Sequence, residues 1–543
     1  MTSAANASGT VSNRYDAATG WLDSSVGADG SAVSYFHSND GSVTGVVSVA
    51  GAMRHVLDVA GRRVRTDSPA GTVRYGHCPW NGRVAAVMHA NGVTATYEYD
   101  IMNRVTNIAW RTASGSRLGG FAYRYDALGR IVSRAHDLGG ASFDRDYAYD
   151  GMDRLASDGG TAYAYDAAGN RMTRTEDGET VTYSLGAGDR LATWTGGSYR
   201  YDAAGCVTRI TRGADTWDLT WNGQYQLVSV STNGTFAESY SYDALGRRVT
   251  TRNAEGTERH VYDDSWQVIA DLDEDGNVLR SYVWGEGIDR ILAVKIGSKT
   301  YTALTDVQGT VWGYADEQGD VVARWTYDAW GNVLSEEVDV SAAELRAVRY
   351  RFQGRERSAA TGLTNFRMRW YDAETGRWLS KDPIGLSGGL NLYESFGNKP
   401  NVLTDPFGLW TFQVGISGTG GAGNGATVGV GFALGRSPSG QWQLGVYYTG
   451  GDGAYISKGG GVSVDFTWSP NGDICDLEGV GQTVGGSGTT PLGSIGGEGS
   501  FPLPTGDGPL PYPSVSGSWG VSTPLPEAHT FTTITGIADI WRW

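Results

Sequence analysis

Two aspartates begin the same tetrapeptide, in "DPIG" at Asp382 and "DPFG" at Asp405, 23 positions apart. Asp-Pro-x-Gly is common turn chemistry, because Asp caps the turn, Pro fixes φ and Gly closes it. For one such motif in isolation, a structural turn is the usual interpretation. Two carboxylates held close together cannot both ionise, so one keeps a proton while the other can act as a base. The pair is therefore either two structural turns or an acid–base pair.

The composition of the chain changes directly after Leu409. Residues 410–543 contain 32 glycines and only 12 charged residues, nine of them acidic. Segments such as "ATVGVGFAL" and "GVSVDFTW" alternate with the period of two that is typical of strands, and Gly or Pro separates them. We interpret residues 410–543 as a separate Gly-rich β-domain.

The residues before this change contain a repeat that begins with Tyr-Asp. Copies include "YDALGRIVSR" from Tyr125, "YDAAGNRMTR" from Tyr165, "YDALGRRVTT" from Tyr242 and "YDAWGNVLSE" from Tyr327. A unit of about 20 residues fits one hairpin, in which Tyr ends a strand and Asp and Gly form the tight turn. A single hairpin is not stable alone, so the copies must pair into one continuous, coiling sheet. The repeat predicts an all-β array of about 18 to 20 hairpins.

The YD repeat and the segment after it, from "YRFQGRERS" at Tyr350 to "FGNKP" at Pro400, resemble the Rhs/YD-repeat family. That family includes bacterial Rhs toxins, insecticidal toxin-complex C components and animal teneurins. The resemblance implies a coiled β-hairpin spiral shell that encloses a variable C-terminal domain. It divides the chain into a YD-repeat shell (1–340), an Rhs core-associated segment (341–409) and the variable domain (410–543).

The resemblance also implies self-cleavage after the second Asp-Pro-x-Gly motif. Carried over position by position, it gives the catalytic residues Asp382 and Asp405, the assisting arginine Arg369 of "RWYD", the supporting arginine Arg377 of "GRW" and the cleaved bond Leu409–Trp410. The ionised carboxylate would activate water against the Leu409 carbonyl, and the protonated one would donate to the oxyanion or the leaving amide. One turnover suffices, because folding brings substrate and catalyst together. The expected activity is that of a single-turnover aspartyl autoprotease.

Two stretches of the sequence begin like metal or cofactor motifs, but each lacks a feature that its motif requires. "GTGGAG" from Gly418 is followed by a strand pattern where a dinucleotide site needs a helix. "DLDEDGNVLRSY" from Asp271 begins like a calcium loop, but its twelfth residue is Tyr282 instead of Glu, so we predict a hairpin turn at Asp275-Gly276. The three cysteines are too far apart for a disulfide framework. We therefore expect no metal and no cofactor.

The net charge and the N-terminal sequence limit the partners and the location that we expect. The formal charge of −16 argues against a nucleic-acid partner, since the protein and the nucleic acid would both be negatively charged. The start "MTSAANASGT" lacks the features of a signal peptide, so we expect a bacterial protein exported by another route, extracellular or delivered into a target cell.

The resemblance implies that the C-terminal domain is the shell's cargo, that a cognate immunity protein exists and that the target is a competing bacterium. About 400 residues of sheet are too few to enclose the cargo, so we expect either a longer N-terminal part or a plug, a second copy or a delivery protein that closes the shell.

Three further expectations follow from the sequence. "SAAELRAV" from Ser341 is a short helix candidate, with Ser341 as its cap and Glu344 as the capping-box partner. The C-terminal domain is compatible with a membrane-inserting β-structure, an unrecognised enzyme or a structural or binding role. An alternative for the whole chain is an uncleaved, surface-displayed YD-repeat adhesion or carbohydrate-binding protein, with Trp and Tyr faces stacking on sugars.

Overall fold

The computed structural model describes residues 3–409 and, beyond them, 415–421, 424–436, 442–455, 459–468, 479–490, 493–502, 514–521 and 527–542. The chain divides into two compact units, Thr2–Trp410 and Thr411–Trp543. Trp410, the second residue of the predicted cleavage site, lies outside the described residues.

The first unit is dominated by one antiparallel sheet of 34 strands within the described residues. Its first half comprises β1 (Ser3–Asn6), β2 (Gly9–Tyr15), β3 (Leu22–Val26), β4 (Ala32–His37), β5 (Val43–Ser48), β6 (Gly51–Leu57), β7 (Arg63–Ser68), β8 (Gly71–His77), β9 (Val84–Met88), β10 (Thr94–Tyr99), β11 (Val105–Arg111), β12 (Arg117–Tyr125), β13 (Ile131–Leu138), β14 (Ala141–Ser142), β15 (Arg145–Tyr149), β16 (Leu155–Asp158) and β17 (Thr161–Tyr165).

The second half of the same sheet comprises β18 (Arg171–Glu176), β19 (Glu179–Leu185), β20 (Leu191–Trp194), β21 (Gly197–Tyr201), β22 (Val207–Arg212), β23 (Asp215–Trp221), β24 (Leu227–Thr232), β25 (Thr235–Tyr242), β26 (Arg248–Asn253), β27 (Gly256–Tyr262), β28 (Val268–Leu272), β29 (Val278–Trp284), β30 (Ile291–Ile296), β31 (Lys299–Thr305), β32 (Val311–Ala315), β33 (Val321–Tyr327) and β34 (Val333–Val338). Each strand pairs with its chain neighbour, except that β15 pairs with β13 beside the two-residue β14. The all-β fold predicted from the repeat is confirmed.

The sheet winds back on itself, so that residues far apart in the chain come into contact. The Asn91 side-chain amide donates to the Asp316 carbonyl, and Lys295 Nζ donates to the Pro69 carbonyl, across 225 and 226 positions. A sheet with the natural twist of antiparallel strands coils in this way instead of staying flat. Other contacts of this kind join residues that are 171 to 236 positions apart, so the length of one winding varies along the sheet.

The YD turn is built by one aspartate, as in the turn that follows β12. Gly129 N donates to the Asp126 carbonyl (3.1 Å), and Arg130 N donates to Asp126 Oδ1 (2.9 Å). The Arg130 guanidinium also binds Asp126 Oδ2 and lies 4.5 Å from the ring centre of Tyr149 in the next repeat. The Tyr149 hydroxyl in turn donates to the Ile131 carbonyl (2.6 Å). The repeat thus connects each turn to the next, and the predicted roles of Tyr, Asp and Gly are confirmed.

The helix predicted from Ser341 forms, but with a different geometry and cap. It is a 3-10 helix, Val340–Ala347, with Asp339 at the N-cap position and no side-chain cap hydrogen bond. Glu344 does not complete a capping box, because its carboxylate accepts hydrogen bonds from Lys299 Nζ and the Tyr301 hydroxyl, both at 2.7 Å. The predicted capping box was wrong because tertiary partners on β31 bind Glu344.

A small four-stranded antiparallel sheet follows the large one. It consists of β35 (Glu356–Arg357), β36 (Thr364–Phe366), β37 (Arg369–Asp372) and β38 (Arg377–Trp378), with 3-10 helices at Phe352–Gly354, Gly385–Gly388 and Phe396–Asn398. Its core is a cluster of buried aromatic side chains, Phe352, Phe366, Tyr371, Trp378 and Phe396. The Tyr371 hydroxyl donates to the Trp330 carbonyl (2.9 Å), which ties this segment to the turn after β33.

The second unit is a separate antiparallel β-structure, as predicted. Its strands are β39 (Gly415–Gly421), β40 (Asn424–Arg436), β41 (Trp442–Tyr455), β42 (Gly459–Trp468), β43 (Gly479–Thr490), β44 (Gly493–Pro502), β45 (Ser514–Val521) and β46 (Glu527–Arg542). They close into a ring in the order β39-β40-β41-β46-β43-β44-β45-β42. Within the described part of the chain, no helix has both the length and the apolarity needed to cross a membrane.

Candidate functional site

Both Asp-Pro-x-Gly motifs form the turn that their sequence predicts. Gly385 N donates to the Asp382 carbonyl (2.9 Å), and Gly408 N donates to the Asp405 carbonyl (3.3 Å). Both glycines have left-handed backbone angles, with φ of +61° and +66°, where a Cβ atom would be strained. Asp405 Oδ1 also accepts a hydrogen bond from Leu409 N (2.9 Å). The second turn thus holds the amide of the residue at the predicted cleavage site.

Arg369, the first residue of β37, connects the two turns. Its Nη2 atom lies 3.0 Å from Asp382 Oδ2 and 3.5 Å from Asp405 Oδ2. Because both oxygens contact one nitrogen, the two carboxylates are close neighbours. Arg369 Nε donates to the Gly408 carbonyl, and the guanidinium lies 4.3 Å from the ring centre of Trp378. One arginine therefore binds both aspartates and the backbone next to Leu409.

The cluster is buried, and burial governs its protonation. Arg369, Asp382 and Asp405 expose 1%, 7% and 2% of their surface. Burial raises the pKa of Asp382 to about 6, partly opposed by Arg369. Burial also raises the pKa of Asp405, against the opposing effects of Arg369 and the Leu409 amide. Two acids facing one cation in a buried site favour a state in which the pair keeps one proton.

Glycine is needed at two positions where the backbone approaches the cluster. A Cβ at Gly388 would lie 2.4 Å from Asp382 Oδ2, and one at Gly408 would lie 3.1 Å from Arg369 Cβ. Both distances are shorter than an ordinary carbon contact, so side chains there would displace the aspartate or the arginine. The role of Gly388, in "LSGGL", was not predicted from the sequence, because nothing local marks which of its two glycines faces Asp382.

The structure does not bring every predicted residue to this cluster. Arg377 Nη1 donates to Asn170 Oδ1 (2.9 Å), and its Nη2 donates to the Asp189 carbonyl. Arg377 therefore ties β38 to turns of the large sheet. Leu409 is buried at 7% exposure beside Asp405.

A second buried charged cluster resembles a metal site in its residue types. Ligand atoms of Glu258, His260 and Asp271 lie within 4.8 Å of one another. The Arg349 guanidinium donates to Glu258 (2.6 Å) and Asp271 (2.9 Å), so an arginine already occupies the place of a cation. Although burial opposes ionisation, Arg349 and Arg280 hold the pKa of Asp271 well below its usual value. This cluster is an ion-pair network that joins β27, β28 and β29 to the segment after β34.

The calcium-like stretch from Asp271 contains the predicted hairpin. Asp273 N donates to the Asn277 carbonyl (3.0 Å), and Gly276 has a φ of +90°. β28 and β29 pair on either side of this turn. The turn at Asp275-Gly276 is confirmed.

The chain matches a family model described as teneurin YD-shell over residues 80–400. Among curated proteins, the tRNA nuclease WapA of Bacillus subtilis (strain 168) is 31% identical over 365 residues, 62% of this chain and 14% of the nuclease. The double-stranded DNA deaminase toxin A of Burkholderia cenocepacia (strain H111) is 27% identical over 328 residues, 54% of this chain and 21% of the toxin. The match thus spans less than a quarter of the length of either relative.

Among solved structures, the chain is similar to one titled "Crystal Structure of TcdB2-TccC3-Cdc42". The TM-score is 0.61 at 20% identity, and the match covers 74% of this chain and 23% of that chain. At this identity the likeness concerns the fold alone, and it agrees with a long sheet of consecutive hairpins.

Proposed function

The chain belongs to the Rhs/YD-repeat family of YD-shell proteins, and from this premise we propose that it is the shell region of a bacterial toxin with residues 410–543 as cargo. Relatives that match more than half of this chain carry the names of different activities, a tRNA nuclease and a double-stranded DNA deaminase toxin. A common shell with exchangeable cargo accounts for this combination. It also accounts for the change in composition after Leu409.

The proposed chemistry is one hydrolysis of the Leu409–Trp410 bond by Asp382 and Asp405. The observation that carries it is the contact of one guanidinium nitrogen with both carboxylates, together with the hydrogen bond from Leu409 N to Asp405. Structural turns alone do not require two Asp-Pro-x-Gly motifs to share one buried arginine. An acid–base pair does require its two carboxylates to be neighbours with unequal protonation.

The step balances with water as the only co-reactant. The ionised carboxylate takes a proton from water while the water oxygen attacks the Leu409 carbonyl carbon. The protonated carboxyl donates its proton to the leaving amide nitrogen, and the C–N bond breaks. The products are a carboxyl group on Leu409 and an amino group on Trp410. Arg369 keeps a positive charge beside the pair in both halves of the step.

The test is the intact mass of the purified full chain. Wild type should yield fragments of 409 and 134 residues that co-elute as one particle, because the shell retains its cargo. Asp382→Asn and Asp405→Asn should each leave a single folded chain of 543 residues. Asp243→Asn is the matched control, since Asp243 is also a buried turn aspartate, paired with Arg247 at 2.7 Å; it should be cleaved like wild type.

Three results would contradict the proposal or its assigned bond. An uncut wild-type chain would favour the alternative of an uncleaved, surface-displayed adhesion or carbohydrate-binding protein. Cleavage in both aspartate variants would show that another group cuts the bond. A shift of the new terminus away from Trp410, measured by N-terminal sequencing, would contradict the assigned bond.

The activity of the cargo is proposed as toxic, and its kind is tested separately. Residues 410–543 are expressed in the bacterial cytoplasm and in the periplasm. Growth arrest with dye leakage would indicate action on a membrane, and arrest without leakage would indicate an enzyme. Normal growth in both compartments would contradict an antibacterial toxin and remove the reason to expect an immunity protein.

A further inference from the structure

A second arginine holds the chain just before the proposed cleavage site. Arg367 Nη1 donates to the Pro406 carbonyl, and the guanidinium lies 4.8 Å from the ring centre of Phe407. Met368 N donates to the Phe407 carbonyl (3.1 Å), and the Trp266 ring meets the Phe407 ring edge to face at 5.8 Å. Two consecutive residues of the second turn are thus fixed through both backbone and ring.

Arg367 is itself held by a residue of the large sheet. Its guanidinium forms a bidentate ion pair with Asp289, in which Nη1 lies 2.9 Å from Oδ2 and Nη2 lies 2.8 Å from Oδ1. Asp289 lies in the loop between β29 and β30, 78 positions earlier in the chain. It is 4% exposed, and a Cβ at Gly354 would lie 2.2 Å from its carbonyl oxygen. The 3-10 helix Phe352–Gly354, which precedes the small sheet, therefore crosses this loop in close contact.

Asp289 also binds a second arginine that does not touch the turn. Arg355 Nη1 lies 2.8 Å from Asp289 Oδ1, and Arg355 Nε donates to the Asn365 carbonyl at 3.2 Å. Arg367 has the same pair of partners, Asp289 and a backbone carbonyl, that of Trp266. Arg355 has one further ion-pair contact, to Glu356 Oε1 at 4.0 Å, whereas Arg367 also binds Pro406 and Phe407.

We propose that Arg367, oriented by Asp289, is a positioning residue that sets the Pro406–Phe407 segment for cleavage after Leu409. The proposal rests on the proposed self-cleavage. A bidentate ion pair fixes the plane of the guanidinium, and the Pro406 carbonyl and Phe407 ring are fixed with it. Because Asp289 belongs to the β29–β30 loop, the site is complete only after that part of the large sheet has folded. Cleavage would therefore occur only after the shell has folded.

The experiment measures the rate of self-cleavage of the full chain. The chain is made by cell-free translation with a short radioactive pulse, samples are stopped in denaturant, and intact and cut chains are separated on gels. Arg367→Gln should slow cleavage at least about tenfold, since small misplacements of a reacting segment cost up to about a hundredfold. Arg355→Gln should change the rate less than about threefold, because it removes the same charge from Asp289 but leaves the turn in place.

A structural role alone would give a different result. Arg367→Lys keeps the charge and one donor to Pro406, so it should recover part of the rate lost in Arg367→Gln. The pH dependence of cleavage should keep its wild-type shape in Arg367→Gln, because the acid–base pair is untouched. Equal slowing by Arg367→Gln and Arg355→Gln, or a shifted pH profile, would overturn the positioning role.

Two further variants allow the positioning role to be tested even if Arg367→Gln does not fold. Phe407→Ala leaves both ion pairs of Asp289 intact and should also slow cleavage about tenfold; a wild-type rate in it overturns the proposal even where Arg367→Gln does not fold. Asp382→Asn is run in parallel. A normal rate in Arg367→Gln with no cleavage in Asp382→Asn overturns this inference alone, whereas cleavage in both Asp382→Asn and Asp405→Asn overturns the proposed function with it.

Discussion

Self-cleavage should slow steeply as the pH rises above about 6. The proposed step needs one proton on the aspartate pair, and burial raises the pKa of Asp382 to about 6. Above that pH the singly protonated fraction falls about tenfold per pH unit, so the rate should drop on the order of a hundredfold between pH 6.5 and 8.5. On the acid side the rate should fall again where the base of the pair is protonated. The expected profile is bell-shaped.

Refolding gives a synchronous start for this measurement. The full chain is recovered unfolded and uncut in urea, diluted into buffers from pH 5.5 to 8.5, and sampled into denaturing gels. Folding is followed in parallel by fluorescence of its 19 tryptophans, so that cleavage rates are compared only where folding is faster. Asp382→Asn should stay uncut at every pH.

The result that refutes the reasoning is a rate that stays level or increases from pH 6.5 to 8.5 while folding is complete. Such a profile would mean that no carboxyl proton is used in the step. A decline that follows the fluorescence signal would report folding instead of catalysis, and the pH assignment to Asp382 would then be wrong.

Three other predictions, one of them with a control variant, test the fold and the site. Asp271→Asn should lower the free energy of unfolding by about 3 to 5 kcal/mol, because it leaves Arg280 and Arg349 without their shared carboxylate. Asp273→Asn, in the turn beside it, is the control and should have a much smaller effect; urea denaturation compares the two. Gly408→Ala should slow self-cleavage at least tenfold on gels, since its φ is +66° and alanine there is strained by about 1 kcal/mol. Tyr149→Phe should lower the urea midpoint by the equivalent of about 1 kcal/mol, because the Ile131 carbonyl loses its hydroxyl donor.

The shell could be predicted from the sequence because the hydrogen bonds that form its turns join residues that are close together in the chain. In most YD turns the aspartate accepts hydrogen bonds from backbone amides two and four positions later, as Asp126 does from Leu128 and Arg130. Every partner lies within five residues, so a short motif specifies the turn. Repetition then requires the hairpins to pair, since one alone is unstable. The same holds for Asp382 and Asp405, whose turns form as their tetrapeptides predict.

What those turns do together was decided only by the tertiary structure. The sequence offers Arg369 and Arg377 eight positions apart in one segment, and nothing local determines which arginine faces the aspartates. The fold places Arg369 between them and directs Arg377 to Asn170, more than 200 positions away. Likewise Glu344 is bound by Lys299 across 45 positions, and Arg367 is held by Asp289 across 78. Burial and charge pairing depend on all chain segments that meet at a point, so the sequence determined the turns and the fold determined their partners.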